Sequence, residues 1–429
     1  MADVGEKEVV APGSGAASGR IGDGDALALV RQVVTLLFEN GQTTARTVEA
    51  AERIGKALGQ DVRVLPRWGE LAIEIEGSGR LDLTEAQPAG VDMNRVARCM
   101  AVVDDIASGR TDIAAARSSL TAIAHLPPAS NPRFAVMAAA GAAALAVIFG
   151  ETQLLSLALI ALSAGAGALL RRGLAGMSHN LFVQPLCAAL LAGIIGAGAE
   201  RLQLSSALHL VTVCPCMILV PGPHLLNGAL DLARGRISLG LARFTYAGVI
   251  ILMICAGLLA GLALGGETLD VEGASVAVPF FWDLIAAGIA VSAFGSFFSM
   301  PWRNLPVPIL IGMLAHACRW LLIVKAGAGV APAAFVACLL VGILVTPIAD
   351  RLRAPFAAFG FASVVSLMPG VFLFRMAGGL VDFVALGSKA PTDLLAGIIA
   401  DGGTALLILL AMAFGLIVPK FLIERVWPG

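Results

Sequence analysis

Two stretches of this chain interrupt an apolar run with proline and glycine. In the first, Pro221-Gly222-Pro223 ends the apolar residues 207–220 and leads directly into His224 and Asn227. In the second, Pro369-Gly370 divides 355–384, and Arg375 follows shortly after. Proline removes a backbone donor and clashes with the preceding turn, so a helix does not pass through either point unbroken. Within hydrocarbon, the freed backbone groups are tolerated only where protein or a water-filled cavity satisfies them. A pair of broken spans in corresponding halves is the sequence pointer to the substrate site of a secondary transporter. A kink that merely shapes a helix is the other reading. Half-helices starting after Gly222 and Gly370 would present N–H groups and a positive dipole end, which suit a carboxylate. Arg375 could add a bidentate partner, or it could pair with Asp382 or Asp401 instead. Asn227 is suited to a substrate hydroxyl or amine, and His224 either lines the site or caps the break. The candidate substrate-binding set is therefore Pro221, Gly222, His224, Asn227, Pro369, Gly370 and Arg375.

Ionisable residues inside apolar spans are costly and point to function. His316 and Arg319 lie one turn apart in LIGMLAHACRWLLIV and so share a helix face. Asp401 lies within the last apolar span, and Asp283 near one end of another. Proton coupling needs a group that protonates on one side and releases on the other. His316 has the ordinary pKa for this, and Asp401 would qualify if desolvation raised its own. His316, Arg319 and Asp401 are thus the coupling candidates, with a hydrogen-bonded packing role as the alternative for His316. Asp231, followed by Arg234 and Arg236, reads as an interfacial ion-pair cluster. Cys214-Pro215-Cys216, with Met217, His209 and His224 nearby, offers soft ligands to a transition metal. The chain lacks the DKTG motif of a metal-pumping ATPase. It also lacks GxSG and HExxH, and its GxGD lies at Gly22–Asp25, so no catalytic residue, cofactor or resident metal is expected.

These residues need a membrane scaffold. The chain has 429 residues, 58% hydrophobic and 14% charged, with a mean hydropathy of +0.87, the profile of a polytopic helical membrane protein. A net charge of −1 without basic runs argues against nucleic acid. Six of the seven cysteines fall in apolar runs and read as free thiols. Residues 1–24 read as a disordered polar tail, neither signal peptide nor anchor. Residues 25–130 read as a small α+β domain. It opens with two helices ending at Gly41 and Gly59 and continues with strands VRVLP, ELAIEIEG and RLDLTEA. Two more helices close it, the second capped by Thr111. Ten apolar spans then follow at about 134–150, 153–170, 181–199, 207–229, 238–264, 280–300, 306–324, 331–349, 355–384 and 392–419.

Loop charge orients them. With the α+β domain cytoplasmic, the inner side collects Arg133, Arg171, Arg172, Arg234, Arg236, Arg303, Arg351, Arg353, Lys420 and Arg425. The outer side keeps Arg201, Lys325 and Lys389 and an acidic loop at 265–278, and both termini lie inside. From Phe134 to Pro221 is 87 positions and from Phe280 to Pro369 is 89, so each half places its Pro-Gly in its fourth span. Five spans per repeat is an odd number. The repeats, 131–270 and 271–429, are therefore expected to be inverted relative to one another.

Over about 25–420 the chain resembles the threonine/serine exporter family, whose relatives include two-chain succinate exporters. The resemblance rests on LLFENGQTTARTVEAAERIGKALG, on LVPGPHLLNGALDLARG followed by Leu241-Ala242-Arg243, and on SLMPGVFLFR with Pro369, Gly370 and Arg375. Cys214-Pro215-Cys216 departs from the pattern. The resemblance implies a multi-pass protein of the bacterial inner membrane, exporting a small-molecule substrate with a proton or other coupling ion. Lipid surrounds it, and homo-oligomerisation is compatible with it. Threonine or serine is the expected cargo and a dicarboxylate the alternative.

Overall fold

A turn at Gly41, with φ +89°, joins the first two helices, α1 (Asp23–Glu39) and α2 (Thr44–Ala57). The chain is described here from a computed structural model covering residues 23–76, 79–178, 180–204, 208–269, 278–352 and 355–426. Nearly all of the expected tail, most of the acidic loop and Arg353 lie outside these residues. In α1 the stripe Ala26, Leu29, Val30, Val33 and Leu37 is buried, the helical spacing of a one-sided apolar face. Against α1 and α2 stand three antiparallel strands in the order β1 (Val62–Arg67), β2 (Gly69–Ile75) and β3 (Arg80–Ala86). Leu71, Ile73 and Ile75 alternate inward along β2.

The helices α3 (Met93–Ala107) and α4 (Ile113–Ala124) complete this unit. Asp92 caps α3 by accepting the Arg95 N–H. Asp112, rather than Thr111, caps α4. Its carboxylate stands directly before the first helical residue and accepts the Ala115 N–H at 2.7 Å.

The apolar part comprises α5 (Asn131–Ile148), α6 (Leu154–Met177), α7 (Val183–Arg201), α8 (Leu208–Met217), α9 (Gly222–Ala233) and α10 (Ile237–Leu264). A second series follows: α11 (Phe280–Phe297), α12 (Pro306–Trp320), α13 (Val330–Arg351), α14 (Phe356–Val364), α15 (Gly370–Leu386) and α16 (Thr392–Val426). Among the described residues, nine helices are long and apolar enough to cross a membrane. The number is ten if α8 and α9, bent by 55° at their break, form one span. The expected ninth span divides differently. Its α15 half is long enough to cross by itself, and the stretch Phe356–Leu367 is a shorter apolar helix before it. The last helix runs past the expected end at 419, with Pro419 inside it.

Helix contacts recur between the two series. α7 packs along α10, and α13 along α16. α9 lies on α10, and α15 on α16. α6 touches α5, α7 and α8, just as α12 touches α11, α13 and α14. α8 meets α15, α14 meets α9, and α5 packs against α11. Small residues permit the tightest of these approaches. A Cβ on Gly193, Gly257 or Gly261 would strike the backbone across the α7–α10 seam. One on Gly342 or Gly415 would do so across α13–α16.

Two large cores result, one under the sheet and one among the apolar helices. They interlock, because Met93 of α3 belongs to the second and Leu239 of α10 to the first.

Candidate functional site

The breaks form where their sequences require them to. α8 ends at Met217 and α9 begins at Gly222, while α14 passes through a 3-10 turn at Val365–Leu367 before α15 begins at Gly370. The two breaks cross. A Cβ on Gly222 would overlap the ring of Phe361 in α14, and one on Gly370 would come within 2.9 Å of Met217 at the end of α8. Pro221, Gly222, Pro369 and Gly370 are all buried there. At the first break the N–H groups are already used. Gly222 donates to the Val220 carbonyl at 2.9 Å and His224 to that of Pro221 at 3.1 Å, and Pro223 has no donor. The half-helix start at α9 is therefore closed on itself rather than open to an anion.

His224, Asn227 and Asp231 form one stripe of α9, and that stripe meets the N-terminal unit. The Asn227 amide donates to the Gly41 carbonyl at 3.3 Å. The His224 ring meets Tyr246 edge-on at 5.1 Å, and Tyr246 also contacts Trp68 from the β1–β2 turn. His224 Nδ1 and Asn227 Oδ1 are buried without a hydrogen-bond partner. Asp231 accepts from Thr44 Oγ1 at 2.9 Å and from Arg243 Nε at 3.0 Å, with Arg236 at 3.6 Å. Arg234 turns instead to Glu424 at 2.7 Å. The expected ion-pair cluster thus includes Arg236 but not Arg234. Its buried centre is Arg243, which spacing did not single out because it lies inside the apolar run LARFTYAG.

More contacts tie the same unit down. Arg46 pairs with Asp350 of α13 at 2.5 Å, and the Met93 N–H donates to the Phe298 carbonyl at 2.9 Å. Burial would lower the pKa of Arg46, but Asp350 and Glu49 outweigh it and hold the guanidinium above its ordinary value. Gln42, Arg46, Arg53, Asp104, Asp350 and Lys420 line a cavity of ≈ 180 Å³ in this seam.

The remaining candidates gather around two carboxylates, Asp401 and Asp283. The Arg375 guanidinium stands 3.2 Å from the Asp401 carboxylate across the α15–α16 contact, the pairing the sequence offered as one alternative. His316 Nδ1 lies 2.8 Å from Asp283 Oδ2, between α12 and α11, with both residues buried. Arg319, on the same face as His316, is within electrostatic reach of Asp283. The sequence marked Asp283 as intramembrane but carried no signal for its pairing with His316.

Cys214 and Cys216 are buried free thiols. Among the described residues, no three of His, Cys, Asp and Glu gather as a metal site would require.

Comparison with known families gives two matches. A family described as a putative threonine/serine exporter matches residues 28–265, and one described as threonine/serine exporter, ThrE, matches residues 283–422. No solved structure matches the chain.

Proposed function

Because this chain belongs to the threonine/serine exporter family, we propose that it exports small carboxylate-bearing metabolites, threonine and serine foremost, across a bacterial inner membrane. The observation that carries the reading is the pair of family matches, which together span both the N-terminal unit and the helices that follow. The crossing of the two broken helices adds a physical reason, since broken helices meeting between two helix series is how secondary transporters build a substrate route. On this reading the two series are inverted repeats. The recurring contacts, α8 with α15 and α9 with α14 among them, are what a two-fold relation between repeats would produce.

Pro221, Gly222, Pro369 and Gly370 then flank the route, with His224 and Asn227 at its N-terminal-unit end and the Arg375–Asp401 pair beside the second break. The N-terminal unit and both termini lie on the cytoplasmic side. The His316–Asp283 pair carries the coupling proton. A buried imidazole facing a carboxylate can gain and lose a proton as access alternates, and Arg319 shares its helix face. Transport of this kind needs no catalytic group and no cofactor.

Counterflow of labelled threonine, serine and succinate in proteoliposomes tests the proposal. Exchange of threonine and serine above succinate is expected. Exchange of none of the three would overturn the transport reading, and exchange of succinate alone would replace the cargo.

A further inference from the structure

A second arginine meets the first break, and unlike Arg375 it has no counter-charge. Ser163, Gly167 and Arg171 stand on one stripe of α6 at four-residue spacing. With Pro215 and Ile218 of the broken span and Phe297 of α11, they line a cavity of ≈ 10 Å³, room for about one water-sized group. Arg171 Nε and Nη1 are buried and have no hydrogen-bond partner, and neither has Ser163 Oγ, in a serine that is 1% exposed. The guanidinium rests 5.0 Å over the Phe297 ring, and no carboxylate among the described residues pairs with it. Its close charged neighbour, Arg172, adds to the positive potential. Three other arginines among these helices have a carboxylate partner: Arg243 in Asp231, Arg375 in Asp401 and Arg234 in Glu424.

Buried guanidinium nitrogens and a buried hydroxyl left without partners are costly. They are retained at little net cost if an anion supplies the missing bonds during the working cycle. The neighbouring half-helix start cannot do that work, since its N–H groups bond locally. As it stands the cavity holds a group the size of one water, so it must widen to take a carboxylate. We propose that Arg171, assisted by Ser163, takes the carboxylate of the transported metabolite beside the first break. Arg375, which Asp401 neutralises, does not have that role. The inference rests on the transport reading above. A carboxylate seated here receives two guanidinium bonds and one hydroxyl bond, and the cavity widens as the rest of the substrate enters.

The test is equilibrium binding of labelled threonine to the purified full-length protein, with unlabelled threonine, threonine amide and succinate as competitors. In the wild type, threonine competes and its amide does not. Arg171→Gln is expected to weaken threonine about tenfold or more and to abolish the preference over the amide. Arg171→Lys should recover part of the loss, because an ammonium keeps the charge without the planar fork. Ser163→Ala should weaken binding less. Thermal unfolding of each variant separates lost binding from lost folding, and Arg171→Lys and Ser163→Ala keep the test decisive if Arg171→Gln does not fold. If the succinate affinity of the wild type is the one lost in Arg171→Gln, the carboxylate site stands and the cargo is a dicarboxylate. Wild-type affinity and amide rejection in Arg171→Gln would overturn the inference while leaving transport standing. A wild type that binds none of the three would overturn the transport reading and this inference with it.

Discussion

Asp231 illustrates how much one buried carboxylate can commit. It accepts bonds from Thr44 and Arg243, with Arg243 fully buried, so neither charge has water to fall back on. Removing one partner strands the other. Arg243→Ala should cost about 3–5 kcal/mol, read as a large drop in thermal stability in detergent. Thr44→Val, which removes a neutral donor, should cost nearer 1–2 kcal/mol. Replacing both charges with apolar residues of similar volume, as in Arg243→Met with Asp231→Leu, should recover most of the loss. If the double variant is as unstable as Arg243→Ala, the pair is held by more than its own charge balance. His316 and Asp283 make a different residue-level prediction. His316→Gln keeps the size and hydrogen-bonding capacity of the side chain but cannot cycle a proton near neutral pH. Export by this variant should lose its dependence on a proton gradient while threonine binding persists. A wild-type gradient dependence would remove His316 from the coupling role.

At the scale of elements, the two broken helices are alike in sequence but not in their tolerance of change. Gly222 lies under Phe361, whose ring packs against Phe294 at 5.9 Å and Phe298 at 6.1 Å and has nowhere to turn. Gly370 lies against Met217, an unbranched side chain that yields easily. Gly222→Ala should therefore destabilise by about 1–3 kcal/mol or more and Gly370→Ala by clearly less, with Phe361→Leu rescuing the first. Equal costs at the two glycines would show that the rings give way as readily as the methionine. This asymmetry marks the limit of what the sequence makes legible. Run lengths and Pro-Gly positions carry the helices and their breaks, because each depends on neighbours within a turn or two. The α2 end at Gly59 and the strands of the hairpin follow for the same reason. Phe361 over Gly222, Thr44 on Asp231 and Asp283 beside His316 depend on residues far apart in the chain, and no local pattern encodes such meetings. Arg171 was legible only as a loop-flanking charge; its want of a partner is a property of the packed helices. Even a local feature can slip by one position, as at Asp112, where two adjacent residues could each cap α4 and the carboxylate does.

At the scale of the molecule, the N-terminal unit is keyed into the helices rather than tethered beside them. Its Gly41 carbonyl takes the Asn227 amide, Thr44 closes the Asp231–Arg243 pair, and Met93 sits in the core of the apolar helices. The first two of these contacts fall along α9, the half-helix that begins at the first break. A polar cavity around Arg46, Arg53 and Asp104 lies between the two parts, and the half-buried Arg46–Asp350 pair bridges it. If substrate passes this seam, the seam must loosen in each cycle, as a lid does. The prediction is checked by locking it. In a cysteine-free background, Arg46→Cys and Asp350→Cys, joined by a short cleavable bifunctional reagent, should stop threonine counterflow, and cleaving the reagent should restore it. The same two substitutions without the reagent control for the lost ion pair, which at a half-exposed site should cost about 1 kcal/mol or less. Undiminished counterflow in the locked protein would mean that substrate reaches the breaks without passing the seam. The keyed unit would then be a fixed support for α9 rather than a moving part.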